Sequence, residues 1–288
     1  IGLDMDHTLI RYNSHNFEAL AHEIMLKKLV QEKQYPQSVL NLKFDFQRAI
    51  RGLVIDKDKG NVIKLSRHAA IRSSYHGLTH LDYEYQKKVY KSTYIDLKDP
   101  DYDTVDTAFS IAFAGLFMQL VELKETSETT TLPPCKHIAE DLNEALDQGH
   151  RDGSIKDRIR ENLSDFIIKD PETVAGLEKY KKHGKKVFIL TNSDYHYTKL
   201  LLDYAINPFL KDHQSWEELF EFVITLAQKP RFFFDKLPFL KIDPETGWMT
   251  NVEQKLTPGV YQGGCAQKFT QDLEVSPDEI LYIGDHIY

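Results

Sequence analysis

A chain of 288 residues exceeds one average domain, so either one large α/β domain or a core carrying a sizeable insertion is expected. Hydrophobic residues at 41% and charged residues at 28% exclude a disordered chain, and a formal net charge of −8 excludes a general basic surface for nucleic-acid backbones. The only cysteines, Cys135 and Cys265, have neither disulfide-framework nor metal-ligand spacing, which argues against a zinc site and points to a reducing compartment.

The chain opens on the apolar run Ile1-Gly2-Leu3, predicted as a strand, and continues into Asp4-Met5-Asp6-His7-Thr8. Residues two apart on a strand share a face, so Asp4 and Asp6 are expected to project toward one small volume. Two carboxylates there repel, and the pair persists only if a cation, a shared proton or water offsets the repulsion. A hard divalent ion such as Mg²⁺ suits carboxylate and carbonyl oxygens; the alternative is a polar turn after a short strand. Three residues precede Asp4, and the chain stops just after a strand-like run. A buried strand usually needs about five, so the natural protein is expected to continue at both ends.

Apolar residues at helical spacing over 17–26, entered through Asn13-Ser14-His15-Asn16, predict a helix after the first strand. Residues 51–56 and 62–65 read as a hairpin around the turn 57–61. Polar, Tyr-rich sequence then runs to about residue 106. The most apolar stretch, 108–121, contains Ser110 and Gln119 and is shorter than the about 20 residues of a membrane span, so it reads as a buried helix. Residues 126–134 form a Ser/Thr-rich loop ending in Pro133-Pro134, and helices resume over 137–163.

From residue 172 the signals become regular. A helix is predicted over 172–183 with Gly184 at its C-terminal cap, followed by the continuous apolar run Val187-Phe188-Ile189-Leu190, which reads as a strand buried on both faces. That run ends in Thr191-Asn192-Ser193-Asp194. A second run, Phe222-Val223-Ile224-Thr225, precedes Gln228-Lys229-Pro230; 239–242 and 248–250 flank a hairpin turn; Ile280-Leu281-Tyr282-Ile283 leads into Gly284-Asp285-His286. Ligands bind outside the carboxyl ends of the strands of open parallel sheets, so these polar ends are expected to converge.

Together the strand ends offer Asp4, Asp6, Thr191, Asn192, Lys229 and Asp285. This is equipment for phosphoryl transfer: a metal to neutralise phosphate oxygens, a carboxylate nucleophile, hydroxyl and amide donors, and an ammonium against developing charge. In order and context the chain resembles the haloacid dehalogenase-like phosphatases. The resemblance is closer to the cytosolic purine 5′-nucleotidases that prefer inosine and guanosine monophosphates. It runs through Arg51-Gly52-Leu53-Val54, Gly60-Asn61, Gly153-Ser154-Ile155-Lys156, Thr191-Asn192-Ser193-Asp194-Tyr195, Lys229-Pro230, Gly263-Gly264 and Leu281-Tyr282-Ile283-Gly284-Asp285-His286-Ile287.

The resemblance implies an α/β fold: a Rossmann-like parallel-sheet core from residues 1–34 and 161–288, with an inserted α+β cap at 35–160 that closes over the site. It implies Asp4 as the nucleophile that forms an aspartyl-phosphate and Asp6 as the acid/base. Thr191 and Asn192 would hold phosphate oxygens, and Lys229 would neutralise charge on the transferring group. Mg²⁺ would be held by Asp4, the Asp6 backbone carbonyl and Asp285. One departure stands out: the family's fourth motif carries a second acidic residue a few positions beyond the one matching Asp285, and this chain stops before it.

For the purine, the family uses an Arg and, four residues later, an Asp; the matching positions are Asn143 and Asp147. Their spacing puts both on one helical face, with a solvated polar face as the alternative. By the same resemblance Phe109 would stack on the base, against a role as ordinary helix core, Lys156 would reach the phosphate, and His150 lies nearby in sequence. The expected activity is Mg²⁺-dependent hydrolysis of IMP and GMP. The rivals are a phosphatase for another small phosphoester and a non-catalytic binding protein on the same fold. A small nucleoside monophosphate is the expected partner, with no nucleic acid or membrane; a cytoplasmic location is expected, and self-association is left open.

Overall fold

The computed structural model describes residues 1–90, 95–107, 110–127 and 131–285. The chain divides into two compact units, one of residues 1–13 and 162–288, the other of residues 14–161. The first unit begins with β1 (Gly2–Leu3) and β2 (Arg11–Tyr12). Between them the backbone folds back on itself: the Leu9 and Ile10 N–H groups donate to the carbonyls of Asp4 (3.3 Å) and Met5 (2.8 Å). Asp4 and Asp6 therefore leave the sheet from a turn, not from an extended ladder as the spacing alone suggests.

The second unit opens with α1 (Ser14–Gln31), longer at both ends than predicted. Phe17, Leu20, Ala21 and Ile24 recur on one buried face. That face packs on α3 (Ile111–Thr126), α4 (Cys135–Arg151) and α5 (Ser154–Glu161). These contacts place α1 in the second unit, whereas the sequence reading grouped it with the core. The predicted hairpin is β3 (Leu53–Asp56) and β4 (Asn61–Leu65). With β5 (Ile71–His76), β6 (Thr79–His80) and β7 (Tyr102–Thr104) it forms a five-stranded antiparallel sheet in the order β6-β5-β4-β3-β7. The Tyr-rich stretch thus hides strands, together with α2 (Tyr83–Tyr90), because its polar residues mask the period of two.

Returning to the first unit, α6 (Leu163–Phe166) leads into β8 (Ile167–Ile168), which pairs antiparallel with β2. Helix α7 (Pro171–Lys182) starts at Asp170, whose side chain accepts from the Glu172 and Thr173 N–H groups, and Gly184 follows its end at φ +69°. Then come β9 (Phe188–Leu190), α8 (Tyr195–Ala205) capped by Asp194, β10 (Phe222–Thr225) and α9 (Arg231–Phe234). The chain continues through β11 (Phe239–Ile242), β12 (Met249–Asn251), β13 (Gly259–Gly263), α10 (Ala266–Leu273) and β14 (Tyr282–Ile283).

The seven-stranded sheet runs β12-β11-β13-β10-β9-β1-β14. From β13 to β14 all pairings are parallel, and the β11–β12 hairpin joins antiparallel at one side. Strand β13 was not foreseen, since Gly259 and Gly263 bracket a short run, yet it inserts between β10 and β11. The register sets Gly2 opposite Phe188 and Tyr282. A Cβ at residue 2 would lie 2.4 Å from Phe188 Cζ and 3.0 Å from Tyr282 Cδ2, so only glycine lets both rings close over β1.

Phe188, Phe222, Phe232, Phe239, Tyr261 and Phe269 form the aromatic core beneath this sheet. The apolar run 280–283 ends in β14 at the sheet edge, with Leu281 59% and Ile283 38% exposed. Among the described residues no helix is long and apolar enough to cross a membrane.

Candidate functional site

The carboxyl ends of β1, β9, β10 and β14 bring the expected residues of the first unit together. Strand β1 is held on either side by β9 and β14, and the Asp4 N–H donates to the Ile283 carbonyl at 2.8 Å. Asp4 is buried; its Oδ1 accepts from the Met5 N–H at 2.8 Å, and its Oδ2 lies 2.5 Å from Lys229 Nζ. Burial pushes the Asp4 carboxyl above the usual carboxylate range, Lys229 pulls it back, and the neighbouring Asp6 pushes it up again. Asp4 is thus a desolvated carboxyl group paired with one ammonium.

Lys229 is fixed from both ends. Its Nζ donates to Tyr282 Oη at 2.8 Å, while its backbone N–H donates to Asn192 Oδ1 at 2.7 Å and its carbonyl accepts from Asn192 Nδ2 at 3.1 Å. In this structure the Asn192 amide therefore binds the lysine loop to the end of β9. Tyr282 in turn donates to the Leu190 carbonyl at 3.3 Å.

Asp6 has a different environment. Tyr12 Oη donates to its Oδ1 at 2.6 Å, and Ser193 Oγ donates to its Oδ2 at 2.9 Å, with Thr191 Oγ1 at 3.5 Å from the same oxygen. Thr191 is fully buried and its hydroxyl also accepts from the Ser193 N–H at 3.0 Å. Burial, reinforced by the Asp6 carboxylate, raises the Tyr12 phenol well above its usual value. The site so holds one carboxylate against a cation and a second against hydroxyls.

Asp285 follows the edge strand, and its Oδ2 is buried with no hydrogen-bond partner among the described residues. The preceding Gly284 lies against the nucleophile candidate: a Cβ built there would sit 3.7 Å from Asp4 Oδ2. Among the described residues no group of three or more His, Cys, Asp or Glu side chains is gathered to hold a metal, so any ion here must draw on carbonyl and water oxygens as well.

The model of the 5′ nucleotidase family matches residues 1–288. This chain belongs to that family. It is 30% identical over 297 aligned positions to a 5′-nucleotidase domain-containing protein of Dictyostelium discoideum, covering all of this chain and 49% of that protein. To human 5′-nucleotidase domain-containing protein 2 it is 27% identical over 305 positions, again across the whole chain and 56% of the relative. The chain spans about half the length of these curated relatives.

In this family member the other sequence-nominated residues lie in the second unit. Asn143 and Asp147 are both exposed on α4, and Asn143 Nδ2 donates to Asp103 Oδ2 on β7 at 3.1 Å. His150, half-buried near the end of α4, stacks on Phe17 of α1 with ring centroids 6.3 Å apart. Lys156 is half-buried on α5, and Phe109 lies outside the described residues. Sequence reasoning left out Tyr12, Ser193 and Tyr282, whose hydroxyls hold Asp6 and Lys229. Ser193 follows Thr191-Asn192 directly and could have been found there; Tyr12 carries no such signal.

Proposed function

We propose that the chain is the catalytic part of a Mg²⁺-dependent, haloacid dehalogenase-like 5′-nucleotidase that hydrolyses purine nucleoside 5′-monophosphates through a phosphorylated Asp4. The observation that carries this reading is the buried Asp4–Lys229 pair beside a hydroxyl-held Asp6 at the carboxyl ends of parallel strands. Asp4 attacks phosphorus as the bond to O5′ breaks, and Asp6 gives its proton to that oxygen, releasing the nucleoside. Asp6 then takes a proton from water as the water oxygen bonds to phosphorus and the bond to Asp4 breaks. Lys229, already beside Asp4, stabilises charge on the transferring group.

The donor set suits a hard cation. Asp4, the Asp6 carbonyl and the Asp285 carboxylate, whose Oδ2 has no hydrogen-bond partner among the described residues, are all oxygen donors, and Mg²⁺ takes one or two carboxylates while keeping several waters. Bound there, it would neutralise phosphate oxygens. Purine preference is assigned to Asp147, which as a carboxylate can only accept hydrogen bonds. It suits the N1–H of hypoxanthine and guanine and opposes the N1 acceptor of adenine. Asn143 Nδ2 gives one hydrogen to Asp103 Oδ2 and could donate its second to the 6-oxo group.

The test is phosphate release from IMP, GMP and AMP by the full chain with Mg²⁺, with EDTA, and after Asp4→Asn. Turnover that stops with EDTA, returns with Mg²⁺ and disappears in Asp4→Asn is expected, because the substitution removes the nucleophile at nearly constant volume. Substantial activity in that variant, or undiminished activity without divalent metal, would sink the mechanism.

A further inference from the structure

We propose that a groove on the five-stranded sheet of the second unit binds a small amphipathic monoanion, an alkyl carboxylate, whose charged end is held by Lys64. The groove shares no lining residue with the strand ends of the first unit or with the residues assigned to base and phosphate, so it stands apart from the phosphatase reading.

The strand register builds the groove. Residues directly opposite each other on antiparallel strands share a face, so Leu53, Lys64 and Ser73 line up across β3, β4 and β5, with the pair Val62 and Tyr75 two residues along on the same face. Met118 of α3 and the turn over residues 45–48 complete the lining of a cavity of about 490 Å³, within the range of about 300–1,000 Å³ that small-molecule sites occupy. Leu53, Val62 and Met118 give it an apolar floor, and Ile50 beside them is a large aliphatic side chain left 55% exposed. The Tyr75 ring meets His80 edge-on, with centroids 5.1 Å apart.

Charge selects the ligand. Arg48 in the lining is 3.3 Å from Asp45, so those two charges cancel. Lys64 has no carboxylate partner among the described residues; its Nζ comes to 3.5 Å from where a Cβ on Gly52 would stand, just before β3. Opposite it on β5, the half-buried Ser73 offers a hydroxyl that has no hydrogen-bond partner among the described residues. The lining therefore carries one uncompensated positive charge, with a hydroxyl donor beside it and aliphatic surface below. A carboxylate takes both donors and its alkyl chain covers the floor. A nucleotide fits less well, because it brings two or more negative charges and a polar sugar to one ammonium and an apolar floor.

Isothermal titration calorimetry of the full chain with octanoate tests the site, and octanol serves as the uncharged probe of equal chain length. Octanoate is expected to bind saturably, one molecule per chain, with a dissociation constant below about 1 mM, and octanol about tenfold more weakly. Lys64→Met keeps the aliphatic stem and removes the charge, so it should weaken octanoate about tenfold and leave octanol within about twofold. Lys64→Arg should restore octanoate to within about threefold of the wild type, and Ser73→Ala should weaken it about threefold.

No saturable octanoate binding, several molecules per chain, or an affinity untouched by Lys64→Met would overturn the proposal. Should Lys64→Met fail to fold, Ser73→Ala decides: loss on octanoate alone supports the site, and equal effects on both probes overturn it. Sedimentation showing a dimer that Ile50→Asp separates and octanoate does not would also overturn it, since the groove would then hold a second copy of the chain.

Discussion

Glu18 is the group whose removal should change stability most informatively. It sits on α1 with no exposed surface, its Oε2 accepts from the Ala112 N–H at the start of α3 at 2.6 Å, and its Oε1 is buried without a partner among the described residues. Burial pushes its carboxyl from the usual 4.5 up to about 8, against the lowering effect of the α3 backbone bonds. The folded protein therefore binds a proton that the unfolded chain releases above pH 4.5.

The sign follows: stability is lost as pH rises from the unfolded value toward the folded one, and levels off above about 8. At about 1.4 kcal/mol for each tenfold in proton affinity, the loss is about 3 kcal/mol by pH 7 and about 5 kcal/mol in full. A Gln at this position keeps an oxygen for the Ala112 N–H and has no proton to lose. Glu18→Gln should thus match the wild type to within about 1 kcal/mol at pH 5 and become more stable by about 3 kcal/mol at pH 7.

Urea unfolding of both proteins at each pH unit from 5 to 9 reads this difference. The difference matters more than either curve. His22, one turn along α1 and bonded to Gln119 at 3.2 Å, has its pKa lowered by burial and contributes an opposing slope below its usual 6.5. Two curves that stay parallel across the range would refute the reasoning, since Glu18 would then be ionised in both folded and unfolded chains.

Two further outcomes are expected. Gly2→Ala should cost about 1–3 kcal/mol in urea unfolding, because its methyl would meet Phe188 at 2.4 Å between β1 and β9; a loss below about 0.5 kcal/mol would mean that the ring moves freely. Asp147→Ala should narrow the preference for IMP over AMP in kcat/KM ratio, because the carboxylate that opposes the N1 acceptor of adenine is removed. An unchanged ratio would place base recognition elsewhere.

The chemistry-bearing strand ends were legible because apolar runs over 187–190 and 222–225 announce buried parallel strands, and the polar residues after them lie at the carboxyl ends. Asp4 and Lys229 could be nominated in this way, though 225 residues separate them in the numbering. Their 2.5 Å approach could not be read, because it depends on β9 lying between β1 and β10. Tyr12 was invisible for a related reason: its hydroxyl reaches Asp6 only because the chain turns back between β1 and β2.

Residue order alone determined the local elements with strong period or punctuation. Helix α1 follows from its apolar spacing, α7 from the Asp170 cap and Gly184, and the β3–β4 hairpin from its turn. Short-range steric and hydrogen-bonding preferences suffice for these. Only the tertiary structure decided which strands were neighbours: β13 entered between β10 and β11, and β14 took the edge. It also decided which polar groups were desolvated together, turning Glu18 into a neutral acid and Asp4 into one half of a buried pair. Desolvation is set by all the atoms that surround a group, most of them distant in sequence, so no local pattern encodes it.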